Sequence, residues 1–529
     1  MSFLYTTTQI RQLEQNAIEN SITADMMMQK AGGAVLQTII EHWPNITSII
    51  AFCGTGNNGG DGYVVARLAH EKGINVEVRH LGELSKLKNE ALYAMQACEK
   101  QGVTIKPFDA SESLTADILV DALLGIGLKG QVKQNYAKAI DYLNNSAADI
   151  ISVDIPSGIN ADTGAVLGNA VIANCTVTFI GIKSGLLTGN APDYCGNLIC
   201  DNLDIPQKLF AEVNHQAEII AVDDYENNFI PRALTANKGN FGHVLVIGGD
   251  YGMSGAPYMA ASAAARVGAG MLTIATRPEH ATVLNITQPE LMCRGIKTAK
   301  ELVALIKTAT VIAIGPGLGQ SVWGQLILKI TLKHVANKPL VVDADALNLL
   351  AKNPHLILDL REKMRCEAKA SEKAEFIEIN EHFERAFNKA DRFSRKSSWI
   401  LTPHPAEAAR LLKTKTHDIQ NDRFDAITAI QKKYGGICVL KGAGSLIYDG
   451  ENPIKICTAG NPGMASGGMG DVLTGIIAGL VAQGIPLATA AECGVCLHAE
   501  AADYVASISG ERGLLATDLL PYLQRLVNL

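Results

Sequence analysis

The 529-residue chain is poor in charge, with Asp, Glu, Lys and Arg making up 19% against about 25% in an ordinary soluble domain. No block of Lys or Arg accompanies aromatic residues and the net charge is −7, so the electrostatic footprint of a nucleic-acid binder is missing. Long hydrophobic runs are lacking too. The longest apolar stretch, Leu473 to Ile485, falls short of the roughly 18 residues a membrane helix needs. Arg11 and Glu14 interrupt the N-terminus before any apolar segment of signal-peptide length. The 11 Cys are an odd count without framework spacing, which suits reduced thiols. One pair, Cys493 and Cys496, has CxxC spacing, but it lies in an Ala-rich stretch that reads as a buried helix, and no second CxxC completes a zinc site. Core packing is the expected role of that pair. A cytoplasmic protein that acts on small molecules, binds neither nucleic acid nor membrane, and assembles as a homo-oligomer is the expectation.

What is present is apolar residue and glycine. Hydrophobic residues reach 47% and Gly numbers 49, enough for more than one core. From Thr47 onward, continuous apolar runs such as SIIAFC, ILVDAL and CTVTFIG alternate with helical patterns, which predicts a parallel sheet covered on both faces. A linker-like stretch, Val222 to Gly242, precedes a second series that starts at HVLVIGG. Two doubly wound α/β domains, over 1–215 and 223–529, account for the length. Between Arg361 and Lys396 the pattern breaks, since 18 of 36 residues are charged with both signs interleaved. Such a stretch is no core, and a solvated helical excursion or partial disorder is expected there.

The first glycine-rich loop, GTGNNGGDG (Gly54 to Gly62), follows an apolar run and opens a helical pattern, with Gly54, Gly56 and Gly59 in GxGxxG register. A dehydrogenase would place an acidic residue at the end of the next strand, where this chain has Arg79 and His80, so the dinucleotide match is partial. The loop carries Asn57, Asn58 and Asp61 instead, oxygen donors suited to a hard cation or a polyhydroxylated ligand. Asp121, Asp154 and Ser157 stand at further strand ends, which an open α/β sheet gathers on one crevice. Each aspartate alone could simply cap a turn.

These motifs, with MMMQKAG and FIGIKSGLLTG in order around them, resemble the NAD(P)H-hydrate epimerase domain, a Rossmann-like three-layer sandwich, over about 200 residues. The resemblance implies that Asn57, Asn58, Gly59, Gly60 and Asp61, with Gly125, Ile126, Gly127, Leu128, Lys129, Gly130 and Gln131, bind hydrated NADH or NADPH. It also implies that Asn58, Asp121 and Ser157 hold a potassium ion and that Asp154 contacts the reacting end. The hydrate is a hemiaminal whose hydroxyl-bearing carbon inverts by loss and return of hydroxyl, which needs an acid/base. Asp154 is the candidate, and Lys183 assists it, holds phosphate, or is merely solvated.

In the second half, GNPGMASGGMGDVLTGIIAGLVAQG (Gly460 to Gly484) lacks the Lys of a P-loop. The pattern starts a helix at Asp471, whose free N–H groups and dipole suit a phosphoryl anion. Asp471 is then a helix cap, a base, or both. With IGGDYGMSGAPYMAA, IGPGLG, VDADALNLL, LTPHPAE and LKGAGSL, the stretch resembles the ADP-dependent NAD(P)H-hydrate dehydratases of ribokinase-like fold, over nearly all of 223–529. That resemblance implies that Ala256, Gly319, His404 and Asp471 line the hydrate site and that Lys441, Gly442, Ala443, Gly444, Ser445 and Gly470 bind the adenine nucleotide. It further implies phosphoryl transfer from ADP, giving AMP and phosphate. Glu407 either begins a helix or contacts magnesium through water. The competing expectation is a ribokinase-type small-molecule kinase with a nucleotide-sensing first domain.

Overall fold

Short β-branched runs bounded by Gly and Asp become strands in the computed structural model, which describes residues 3–356 and 398–528. The chain divides into two compact units, the first ending at Glu218 and the second beginning at Ile219.

The strands of the first unit are β1 (Phe3–Tyr5), β2 (Ser48–Cys53), β3 (Asn75–His80), β4 (Thr104–Pro107), β5 (Ile118–Ala122), β6 (Asp149–Val153), β7 (Cys175–Phe179), β8 (Ile182–Lys183) and β9 (Asn197–Asp201), and β10 (Ala217–Ile220) spans the boundary after Glu218. Seven of them form a parallel sheet in the order β4-β3-β2-β5-β6-β7-β9. Alternate residues of one strand feed two different cores. Ile49, Ala51 and Cys53 of β2 pack with the helices Ala24–His42 and Asn57–Glu71, while Ile50 and Phe52 pack with the helix Gln134–Asn144. Both faces are therefore covered, which is why these strands read as unbroken apolar runs. The strand order reverses between β2 and β5, so the loops after those two strands open a crevice at their carboxyl ends. β1 pairs in parallel with β8 and antiparallel with β10.

The second unit contains β11 (His243–Ile247), β12 (Met271–Thr276), β13 (Met292–Gly295), β14 (Val311–Ile314), β15 (Leu340–Val342), β16 (Trp399–Leu401), β17 (Ile437–Leu440), β18 (Ser445–Tyr448) and β19 (Ile454–Cys457). They follow the order β13-β12-β11-β14-β15-β16-β17-β18-β19. Strands up to β17 are parallel, and β18 and β19 run antiparallel. The four residues between β17 and β18 are too few for a crossover, so the chain turns back as a hairpin. The order reverses between β11 and β14, which places a second crevice there. The helix Met469–Ala482 is buried on nearly every side. Gly475 lets it approach its neighbour, for a Cβ there would lie 1.9 Å from the Ala260 carbonyl oxygen.

Two expectations are corrected. The stretch that reads as a linker is partly core, because Val222 and Tyr225, one turn apart on a 3-10 helix, are buried in the second unit and the Tyr225 hydroxyl donates to Glu492 at 3.0 Å. The helix placed at Asp471 starts at Met469 with Gly468 as its N-cap, since Gly468 adopts φ +95° and no side chain caps the end. Asp471 is therefore a first-turn residue and no cap. The charged segment 361–396 lies outside the described residues.

Candidate active sites

In the first unit the β2 and β5 loops meet at the crevice. Gly54 N–H donates to the Ala122 carbonyl at 3.0 Å, and any side chain on Gly54 would collide with the Leu123 carbonyl, 2.0 Å from its Cβ. The following helix begins at Asn57 behind Gly56 with no side-chain cap, so its first N–H groups point free into the crevice, a site suited to phosphate. The cleft encloses about 820 Å³ and is lined by Asn57, Asn58, Asp61, Gly125, Ile126, Gly127, Leu128, Lys129, Gln131, Asp154 and Lys183. Gly59, Gly60 and Gly130 do not line it. Gly59 packs on the Gly54 carbonyl and Gly60 on Met28.

Asp154 sits just past β6 with φ +66°, a strained backbone for a non-glycine residue and a common mark of functional positions. Its Oδ1 accepts from Thr178 Oγ1 and Phe179 N, each at 3.3 Å, and from a very short contact with Lys183 Nζ. Lys183 is 1% exposed and also donates to Thr178 Oγ1 at 3.0 Å and the Phe179 carbonyl at 2.8 Å. Of the three roles open to Lys183, solvation is excluded by this burial. Asp121 lies beneath the cleft, fully buried. Its oxygens accept from Ser152 Oγ at 2.8 Å, Ser157 N at 2.8 Å and Ser157 Oγ at 2.6 Å. Burial raises its pKa against the pull of these donors. Both polar atoms of the Asn58 side chain are buried without a hydrogen-bond partner, and a Cβ on Gly125 would come within 3.2 Å of Asn58 Oδ1. An orphaned amide oxygen beside a glycine loop fits a cation. Arg79, where a dehydrogenase keeps an acid, pairs with Glu77 and Glu112 at 2.5 Å each and is structural.

In the second unit four titratable side chains meet at the carboxyl edge of the sheet. Asp343, just past β15, is 1% exposed. It accepts from Lys441 Nζ at 2.7 Å and from Thr474 Oγ1 at 2.9 Å. Lys441 follows β17, and its ammonium also lies 4.0 Å from Glu407. Burial pulls the Lys441 pKa down, but the carboxylates of Asp343 and Glu407 outweigh it and hold the ammonium above its ordinary value. Burial, then the Asp343 charge, push Asp471 up to about 7 against the opposing Lys441. Burial likewise raises Glu407 to about 7. Gly470 lies over this group, a Cβ there falling 3.1 Å from Lys441 Nζ and 3.5 Å from Asp343 Oδ2. Glu407 does cap its helix, accepting from His404 N at 2.9 Å, and it is 5% exposed beside Lys441. His404 Nδ1 accepts from Ala406 N at 3.1 Å, and burial lowers its pKa to about 4, leaving it neutral.

Ala256 and Gly319 lie at the β11 and β14 crevice, Ala256 against Gly317 and Gly319 against Asp250 and Met253. Gly319 N–H donates to Asp345 at 2.9 Å. The 441–445 loop is tied to itself, Ser445 Oγ donating to the Gly442 carbonyl at 2.9 Å. It is also held from behind by buried Arg423, which donates to the carbonyls of Leu440 at 3.1 Å, Lys441 at 3.3 Å and Gly444 at 3.4 Å. Asp343, Thr474 and Arg423 were not legible as site residues. Asp343 is the first acid of VDADALNLL, and a strand-end aspartate was the available signal. Cys493 and Cys496 are buried in the helix Leu487–Ser509, and no metal-holding cluster of His, Cys, Asp or Glu occurs among the described residues. Nor is any described helix long and apolar enough to cross a membrane.

The family model described as YjeF-related protein N-terminus matches residues 24–185, and that of NAD(P)H-hydrate dehydratase matches 244–366 and 383–525, broken inside the charged segment. The bifunctional NAD(P)H-hydrate repair enzyme Nnr of Coxiella burnetii is 46% identical over 528 residues, covering 100% of each chain. That of Escherichia coli is 38% identical over 98% of this chain and 93% of its own. Among solved structures, an ADP/ATP-dependent NAD(P)H-hydrate dehydratase from Bacillus subtilis, co-crystallised with ATP and Mg2+, aligns with 58% of this chain and 96% of its own at TM-score 0.46 and 25% identity. A match to two-part repair enzymes from end to end does not favour the small-molecule kinase. The chain belongs to the bifunctional NAD(P)H-hydrate repair enzymes, its first unit the epimerase and its second the dehydratase.

Proposed function

We propose that Asp154 moves the proton during inversion at the hydroxyl-bearing carbon and that Asp471 is the base of dehydration. The observation that carries the second role is the buried group of Asp343, Lys441, Glu407 and Asp471 at the start of an uncapped helix. Asp343 fixes the Lys441 ammonium, and burial, with Asp343 adding to it and Lys441 opposing it, brings the Asp471 pKa to about 7, matched to proton transfer near neutrality. Asp471 takes the C6 hydroxyl proton as the oxygen bonds the terminal phosphorus of ADP. AMP departs, phosphate then leaves with the C6–O pair, and a proton leaves the adjacent carbon to restore NAD(P)H. Helix N–H groups of 469–471 and the Lys441 ammonium offset the charge on the moving phosphoryl group.

Glu407, buried beside Lys441 at the carboxyl edge of the sheet, is the residue that would hold magnesium through water, where the ion would screen phosphate charge. In the epimerase, Asn58, Asp121 and Ser157 would hold potassium, which orders the nucleotide loop. The unpartnered Asn58 oxygen supports this. The test feeds S-hydrate and ADP to the full chain. AMP and phosphate should appear one for one with NAD(P)H absorbance, and a stable phosphorylated product with no absorbance gain would overturn the reading. For potassium, anomalous scattering from soaked thallium should mark Asn58 Oδ1, and its absence there would leave a hydrogen-bond network.

A further inference from the structure

The helix Thr7–Glu19 buries Ile10, Leu13 and Ala17 in the first unit. Its neighbouring stripe, Arg11, Glu14 and Ile18, lies at i, i+3 and i+7, one helix face, and all three line the same cleft as Asp154 and Lys183. This helix precedes the family match, which starts at residue 24. The Glu14 carboxyl is half-buried and forms no hydrogen bond or ion pair among the described residues. The polar side chain of Asn58, nine-tenths buried and also unpartnered, lines the same cleft. These features mark the space in front of Glu14 as one that receives a polar ligand.

Asp154 and Glu14 have opposite environments. Asp154 is paired with the Lys183 ammonium and accepts from Thr178 and Phe179, whereas the Glu14 carboxyl has no such partner. Glu14 is raised by burial, with Lys183 and Arg11 lowering it and Asp154 raising it. Asp61, the other acid in the cleft, is raised well above its usual range by burial and by Asp154 and Glu14. Inversion through loss of hydroxyl asks for both an acid and a base, and two carboxyls lining one cleft, one paired with an ammonium and the other unpartnered, supply such a pair.

We propose that Glu14 is the general acid of the epimerase, acting with Asp154 as base, a role that rests on the Asp154 assignment above. In the first half, the C6–O bond breaks with its electron pair going to oxygen, the Glu14 proton moves to that oxygen, and water is formed. The ring-nitrogen lone pair becomes the second bond of a C6=N iminium. In the second half, a water oxygen bonds C6 from the other side, the iminium pair returns to nitrogen, and Asp154 takes the water proton. Proton exchange with solvent resets both carboxyls, and the reverse reaction exchanges their roles.

The test uses the full chain supplied with ADP. R-hydrate yields NADH absorbance only after inversion, while S-hydrate is dehydrated directly and reports a folded chain. Glu14→Gln keeps shape and removes the proton. Its kcat on R-hydrate should fall by about 100-fold or more, with KM within about threefold and the S-hydrate rate retained. The decline of wild-type epimerase rate on the alkaline side should vanish in Glu14→Gln, whereas a decline that persists belongs to a group left in place around it, Arg11, Asp61, Asp154 or Lys183, and overturns the acid role. Retention of more than about a tenth of kcat, or a loss confined to KM, overturns the acid role. Asp154→Asn measured alongside separates the two assignments. An inactive Asp154→Asn beside an active Glu14→Gln refutes Glu14 alone, whereas an active Asp154→Asn refutes the underlying assignment.

Discussion

Asp471→Asn should abolish dehydration and yet make the second unit more stable. The folded environment raises this carboxyl from 3.8 to about 7, chiefly by burial and then by the Asp343 charge. A raised carboxyl pKa means that the folded chain resists ionisation, so above the unfolded value ionisation destabilises the fold. At about 1.4 kcal/mol per pKa unit, the ceiling is about 4 kcal/mol once pH exceeds the folded value. Asp471 is only partly buried and solvent screens the site rim, which leaves about 1–2 kcal/mol. The amide removes the charge at nearly constant shape. Calorimetry at about pH 8 should therefore show the dehydratase transition about 2–6 °C higher in Asp471→Asn. The gain should shrink as pH falls through about 7 and vanish below about 3, where the carboxyl is protonated in both states. An unchanged or lower transition at pH about 8 would refute the burial cost. Dehydratase turnover above about a tenth of wild type would refute the base role, which contributes about 10²–10⁴-fold.

The dehydratase rate should fall on the acid side with a midpoint of about 7, because Asp471 must be ionised to act. Lys441→Met removes the charge that lowers it and should move this limb to higher pH, and a limb that stays put assigns the base elsewhere. Asp121→Ala strips Ser152 and Ser157 of their acceptor. Urea unfolding of the first unit should show a loss of about 1–3 kcal/mol, with R-hydrate turnover lost and S-hydrate turnover kept. Arg423→Met leaves the carbonyls of Leu440, Lys441 and Gly444 without their donor. The KM for ADP should rise by about tenfold or more, an outcome of about 1.4 kcal/mol, and an unaltered KM would detach this loop from the nucleotide.

Local signals were strong enough to place most strands, because a buried parallel strand must be apolar on both faces and Ile49 to Cys53 feed two cores at once. Gly54, whose Cβ would strike the Leu123 carbonyl, was visible through its GxGxxG register, whereas the close approach that Gly475 permits shows only in the packed helices. Candidate residues at strand ends, such as Asp154 and Lys441, were named from the motifs around them. What the sequence left open were contacts made at a distance. Lys183 could have been solvated until β7 and β8 brought it to Asp154. Asp343 is 98 residues from its partner Lys441 and 131 from Thr474, separations at which no local pattern carries pairing information. Val222 and Tyr225 read as linker because two apolar side chains on a short 3-10 turn leave no periodic mark. Glu14 stood out in the sequence only as a charge interrupting the N-terminus, and only the folding of its helix against the cleft placed it on the same lining as Asp154. Residue types and spacing determined which elements form, whereas charge pairing and desolvation, which decide protonation, exist only once the chain has brought distant groups together.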